Sequence, residues 1–255
     1  MKKEGLVYKF LIEKQLCTYV DEYKNFMRIE NFPRYNLQTR EVSLSVAEAQ
    51  GFDVVASAGY NPQTNQHTLT VSTNLNLSKH FIFHEFTHML DSELYVNGDK
   101  MRYAGLSGYT EYHAAQIELA QLLGAKSIDA IPKFSIEKTI STFAGDKSVT
   151  QYICDKQQHA IALFSREDFP ADIASLKTAF GILYNYWGLR SICEIYATNY
   201  IETINNTAFL KYIPTTFFTA LNNFMHGWLD KAKIDLSIQA YINTVFPIIK
   251  DYKLA

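Results

Sequence analysis

The sequence predicts an α+β, mostly helical protein, on three observations. Short alternating apolar runs are confined to the first third of the chain. Helix-spaced apolar positions recur through the rest. One helical stretch, Ser78 to Leu94, carries His84, Glu85 and His88 in the spacing HExxH.

Composition sets outer bounds. With 255 residues, 47% hydrophobic and 20% charged, the chain can bury a substantial core, and nothing in it reads as disordered. A formal charge of −2 argues against nucleic-acid binding by bulk electrostatics, which needs a basic excess. Cys17, Cys154 and Cys193 are odd in number and far apart, so buried reduced thiols are expected rather than a disulfide framework or a metal knuckle. No cleavage site follows the N-terminal apolar run, and no window approaches the roughly 18 apolar residues of a membrane span. A cytoplasmic protein without a membrane partner is the expectation.

In chain order, Leu16, Val20, Tyr23 and Met27 recur at helical spacing and predict a first helix over Leu11 to Met27. Asn31, Pro33 and Asn36 break that pattern. Alternation at Val42, Leu44 and Val46, the β-rich run Phe52 to Tyr60, and Thr68 to Ser72 predict three short antiparallel strands, the last two joined by a turn in NPQTNQ. The motif helix follows, with Ser78 as its cap. A loop containing Gly98, Gly105 and Gly108 should lead into a second helix over YTEYHAAQIELAQLLG, on which Glu111, Ala115, Glu118 and Leu122 share a face. Its alanines would allow close approach to the motif helix. The pattern weakens around Ile128 to Lys147. Beyond it, helices are expected at Val149 to Phe164, Ala171 to Trp187, Leu189 to Asn205, Thr215 to Trp228 and Leu236 to Phe246, with Phe180, Tyr184, Tyr186 and Trp187 in the core.

On the motif helix, His84, His88 and Asp91 fall within a narrow arc, while Ile82, Phe83, Phe86, Met89 and Leu90 occupy the opposite side. Imidazoles one turn apart can both reach one small ion at about 2.0–2.1 Å, the zinc–nitrogen distance. Glu85, beside that arc, would accept a proton from zinc-bound water, whose pKa the metal lowers to about 7. Asp91 suits an outer carboxylate that holds an imidazole N–H. A catalytic zinc generally takes three protein ligands, and the sequence offers Asp99, Glu111 or Glu194 as the third. Asp91 and Leu94 stand where a metzincin needs glycine and histidine, which excludes that subclass. His67, His80 and His159 have no partner at ligand spacing and read as surface or satisfied histidines.

HEFTHMLD followed by TEYHAAQIELAQLL resembles the gluzincin zinc metallopeptidases, in which a second helix carries a glutamate ligand in an ExxA setting. Glu111 with Ala114 matches that setting, and the order of elements is similar to the compact minigluzincins, including phage- and mobile-element-associated peptidases. The resemblance covers about the first half of the chain. It implies His84, His88 and Glu111 as metal ligands, Glu85 as general base, Zn2+ as cofactor and a peptide or protein as substrate. It also implies that a strand just before the motif helix binds an extended peptide by edge pairing, and that a Tyr or His stabilises the oxyanion. Tyr103, Tyr109, Tyr112, His113, Tyr196 and His226 are the candidates for that last role. The chain is thereby divided into a zincin-like unit over 1–126 and a helical region over 127–255 forming the other wall of a cleft. Two alternatives stand beside a hydrolase: a zincin-derived binding or regulatory module without turnover, and a structural helical protein with an accidental motif.

Overall fold

The computed structural model describes residues 2–42, 55–202 and 207–254, and it is α+β and mostly helical. A long helix α1 (Lys2–Met27) leads to strand β1 (Tyr35–Arg40), hairpin strands β2 (Ala56–Asn61) and β3 (Gln66–Ser72), and the motif helix α2 (Lys79–Tyr95). Helix α3 (Lys100–Leu122), a small hairpin of β4 (Thr139–Thr142) and β5 (Gly145–Ser148), and α4 (Val149–Phe164) follow. The chain continues through α5 (Ile173–Tyr196), the single turn α6 (Thr207–Leu210), α7 (Thr215–Phe224) and α8 (Lys231–Asp251).

The three-stranded sheet has the order β1-β3-β2, with β2 antiparallel to β3, so the strand just before α2, expected to offer an edge, is central and paired on both sides, and β2 is an edge instead. The β2–β3 turn falls where NPQTNQ predicts it, Asn65 adopting φ 52°. The first strand departs from expectation. It lies at Tyr35–Arg40, so it takes in the presumed breaker Asn36, and it runs parallel to β3. A parallel neighbour needs a crossover of a dozen or more residues, and the long connection between β1 and β3 provides one. Val42 falls just past β1, tied at its N–H and C=O to the Asn74 side chain. Leu44, Val46, Phe52 and Val54 lie outside the described residues.

The apolar side of α2 packs as its periodicity demands. Ile82, Phe83, Phe86 and Met89 are almost fully buried, and Tyr23 of α1 meets Phe83 and Phe86 edge-on while its hydroxyl pairs with Thr87 at 3.0 Å. Ser78 occupies the N-cap position of α2 but makes no side-chain capping bond. Helix α3 begins earlier than predicted, because Asp99 caps it by accepting from the Met101 and Arg102 N–H groups. Of the expected loop glycines, Gly105 and Gly108 are therefore helical, while Gly98 stays in the connecting turn with φ 75°. A Cβ on Gly108 would lie 2.6 Å from Tyr241 and 2.7 Å from Tyr184, so this glycine lets α3 pass close to α8 and α5.

The same reason joins two predicted helices into one. Helix α5 runs straight through Gly188, whose missing side chain leaves room for the Tyr112 carbonyl oxygen 2.2 Å from where a Cβ would stand. Ala115 faces the same glycine at 2.9 Å, so this alanine serves the approach to α5. One hydrophobic core runs through the helices of both halves, including Phe180, Tyr184, Tyr186 and Trp187. Of the cysteines, only Cys193 is buried, whereas Cys17 and Cys154 are exposed on helix surfaces. No described helix is long and apolar enough to cross a membrane.

Candidate metal centre

Helix α3 runs back along α2, and the pairing of side chains between them builds the site. His84 Nδ1 lies 2.8 Å from Glu118 Oε2, and His88 Nδ1 lies 2.9 Å from the Thr110 hydroxyl. With both Nδ1 atoms engaged, the Nε2 atoms turn to the same side, where Glu111 Oε2 sits 3.6 Å from His84 Nε2 and 3.8 Å from His88 Nε2. All three ligand atoms lie within 4.8 Å of one another, the only such cluster among the described residues. The donor set fits a zinc ion: two imidazoles and one carboxylate, each imidazole oriented by a hydrogen bond at its other nitrogen.

The electrostatics of the two imidazoles differ. Burial alone would lower His84, but the Glu111 carboxylate beside it, the hydrogen bond to Glu118 and the charge of Glu118 raise it to about 10. For His88 burial prevails over the attraction of Glu111, and its pKa falls to about 4. Glu111 and Glu118 are both held well below the usual carboxylate range. Burial opposes ionisation in each, and the neighbouring histidines outweigh it. Ionised Glu118 is an acceptor only, so its partner at His84 must be Nδ1–H, which leaves Nε2 to face the cluster.

Glu118 is itself braced from the C-terminal half. The Tyr152 hydroxyl donates to its other oxygen, and Lys156 adds a favourable charge. Helix α5 supplies two further contacts to Glu111. Gly181 leaves room beside the carboxylate, with 3.6 Å from a Cβ position to Glu111 Cδ, and Asn185 helps to hold its pKa down. The cleft is about 660 Å³, bounded on one side by β2 and on the other by α4 and α5. Glu85 lines it, and its Oε2 accepts from the Ala58 N–H at 2.6 Å.

Several predicted roles fall elsewhere. Asp91 is buried against His113, at 2.9 Å and 3.1 Å, so it orients neither motif imidazole. It is seven residues past His84, but α3 brings His113 to it first and Glu118 to His84. Asp99 is spent as the cap of α3. Glu194 pairs with Arg190 and His226. Of the oxyanion candidates only Tyr103 lines the cleft. The Tyr112 hydroxyl donates to the Ser191 hydroxyl and the Gly227 carbonyl, His226 is held by Glu194, and the Tyr196 hydroxyl accepts from Trp228. His67 and His80 are neither surface nor fully satisfied, since each is buried with one ring nitrogen lacking a partner among the described residues. His159 is exposed and lines the cleft.

Sequence reasoning missed Glu118, Thr110, Tyr152, Lys156 and Asn185. Glu118 had a signal, its seven-residue spacing from Glu111 on one helix face. The residues of α4 and α5 had none. Comparison with protein-family models, with curated proteins and with solved structures finds no match to this chain.

Proposed function

We propose that the protein is a zinc-dependent metallopeptidase of gluzincin type, with 1–126 as its zincin-like unit and the helices beyond as the opposite wall of the cleft. The observation that carries this is the convergence of His84 Nε2, His88 Nε2 and Glu111 Oε2 in an open cleft, with the Glu85 carboxylate on the same wall. These three side chains would hold the metal. When bound, zinc supplies a Lewis acid that polarises a carbonyl and makes water more acidic.

The remaining steps belong to the chain itself. Glu118 and Thr110 fix the imidazoles so that Nε2 faces the metal position. Glu85 takes a proton from the attacking water and returns it to the leaving amine, a role that needs a carboxylate within reach of both. Tyr103 lines the same cleft, and to it we assign donation to the oxygen of the attacked carbonyl. Strand β2, at the edge of the sheet, can align an extended peptide by backbone pairing.

Bound metal and proteolysis, measured for the wild type and Glu85→Gln, test the proposal. Stoichiometric zinc in both and cleavage lost only in the variant is the expected result. Cleavage that survives the substitution removes Glu85 from its role. A second reading, a binding module that keeps the metal without turnover, is favoured by one observation: the Glu85 carboxylate is already engaged by the Ala58 N–H. Zinc held at full occupancy with no cleavage of a broad peptide library would select it.

A further inference from the structure

Strand β2 has β3 on one side and the cleft on the other. Its backbone alternates between them. Val55 accepts from the Ser72 N–H, so the backbone groups of Val55, Ser57 and Gly59 turn toward β3, and those of Ala56, Ala58 and Tyr60 turn toward the cleft. An exposed row of strand amides is a template for another chain. Here that row is not open. The Ala58 N–H is taken by Glu85 Oε2 at 2.6 Å, a short charge-assisted bond. Two residues on, Tyr60 meets Tyr103 ring to ring at 5.4 Å.

The partner of the Ala58 amide is therefore the side chain to which the peptidase reading gives the proton transfer. The outward amides of Ala58 and Tyr60 are two residues apart, the repeat at which alternate carbonyls of an extended peptide present themselves, about 6.6 to 6.8 Å. A docking peptide can take both amides at once, and the second contact helps it displace Glu85 from the first. A substrate too short to lie along β2 makes no second contact.

We propose that the outer edge of β2 is capped in the resting protein at Ala58 by Glu85. An extended peptide substrate must take over the Ala58 amide, and in doing so it frees Glu85 to act as base. This rests on the peptidase reading and adds to it a substrate class, extended peptides of several residues, and a reason for the site to be idle without one. No bond is made or broken in the exchange. One acceptor replaces another on the amide, and the carboxylate returns to the cleft.

Amide hydrogen exchange tests the cap on the full chain without metal or turnover. The Ala58 N–H is expected to exchange about ten-fold or more faster in Glu85→Ala than in the wild type, while the Gly59 N–H, on the β3 side, keeps its rate. An unchanged Ala58 rate overturns the proposal. Turnover tests the coupling, with zinc-loaded protein and random-sequence libraries of dipeptides, tetrapeptides and octapeptides. In the wild type, kcat should rise by about ten-fold or more from the shortest library to the longest. In Ala58→Pro, which removes the N–H at an edge position, that ratio should collapse toward unity. A kcat independent of length, or a length dependence that survives Ala58→Pro in a variant with wild-type circular dichroism, overturns the proposal. If the proline variant does not fold, exchange at the Ala58 N–H in Glu85→Ala decides alone; no acceleration there overturns the proposal. A wild type that binds zinc and cleaves none of the libraries sinks the peptidase reading and the coupling together. Cleavage without length dependence sinks the coupling alone.

Discussion

The two imidazoles of the motif sit one turn apart on one helix, yet their surroundings differ in kind. His84 is held by an ionised carboxylate that Tyr152 and Lys156 brace from α4, so its orientation depends on the C-terminal half. His88 is held by the hydroxyl of Thr110, the neighbour of Glu111 on α3. The result is one imidazole raised to about 10 and another lowered to about 4 at closely similar burial. Burial disfavours the charged form of both, and only a carboxylate partner is strong enough to reverse it. The motif spacing places the rings, and the carboxylates that reach each ring decide its charge.

The largest expected effect comes from separating the two halves that the His84 side joins. Gly188→Ala puts a methyl where the Tyr112 carbonyl oxygen lies 2.2 Å away, a backbone atom that cannot step aside. Urea denaturation should show a loss of about 3 kcal/mol, the upper part of the usual range for overpacking. A loss near zero would mean that α3 and α5 do not depend on this close approach.

Glu118→Gln keeps the shape of the buried side chain and removes its charge. Zinc affinity, measured by competition with a chromophoric chelator, should fall about 10- to 100-fold, as is usual when a group orienting a ligand is lost. Thr110→Val removes only a neutral hydrogen bond on the His88 side and should cost less than about ten-fold. The reverse order would break the contrast between the two imidazoles.

The charge difference also has a pH signature. Since the pKa of His84 is raised, it carries a proton at neutral pH that metal must displace, whereas His88 is already neutral. Zinc uptake at pH 7 should therefore release close to one proton, and lowering the pH by one unit should weaken apparent binding by about ten-fold. Calorimetry in buffers of different ionisation enthalpy measures that proton. Release should shrink in Glu118→Gln, where one of the groups raising His84 is gone. Release near two protons would mean that both imidazoles are charged in the metal-free protein.

How much was legible in the sequence follows from distance along the chain. The apolar and polar faces of α2, the β2–β3 hairpin with its turn and the span of α4 are set by residues within a few positions of one another, and they lie where the periodicity puts them. Elements that depend on remote partners were misread. Gly108 and Gly188 look like breaks until α8 and α5 are beside them, and β1 reads as part of a loop because its partner lies some thirty residues ahead.

By itself the sequence determined that one helix presents two imidazoles and a carboxylate opposite an apolar face, since 100° per residue is a property of the local backbone. Only the tertiary structure decided which acidic side chains meet those rings. Asp91, three residues past His88, turns to His113, while Glu111 and Glu118 arrive from a helix that folds back along the first. It also decided that Glu85 rests on the edge of β2. Hydrogen-bond partners are chosen by distances of about 3 Å in space, and between separate elements no spacing along the chain encodes them.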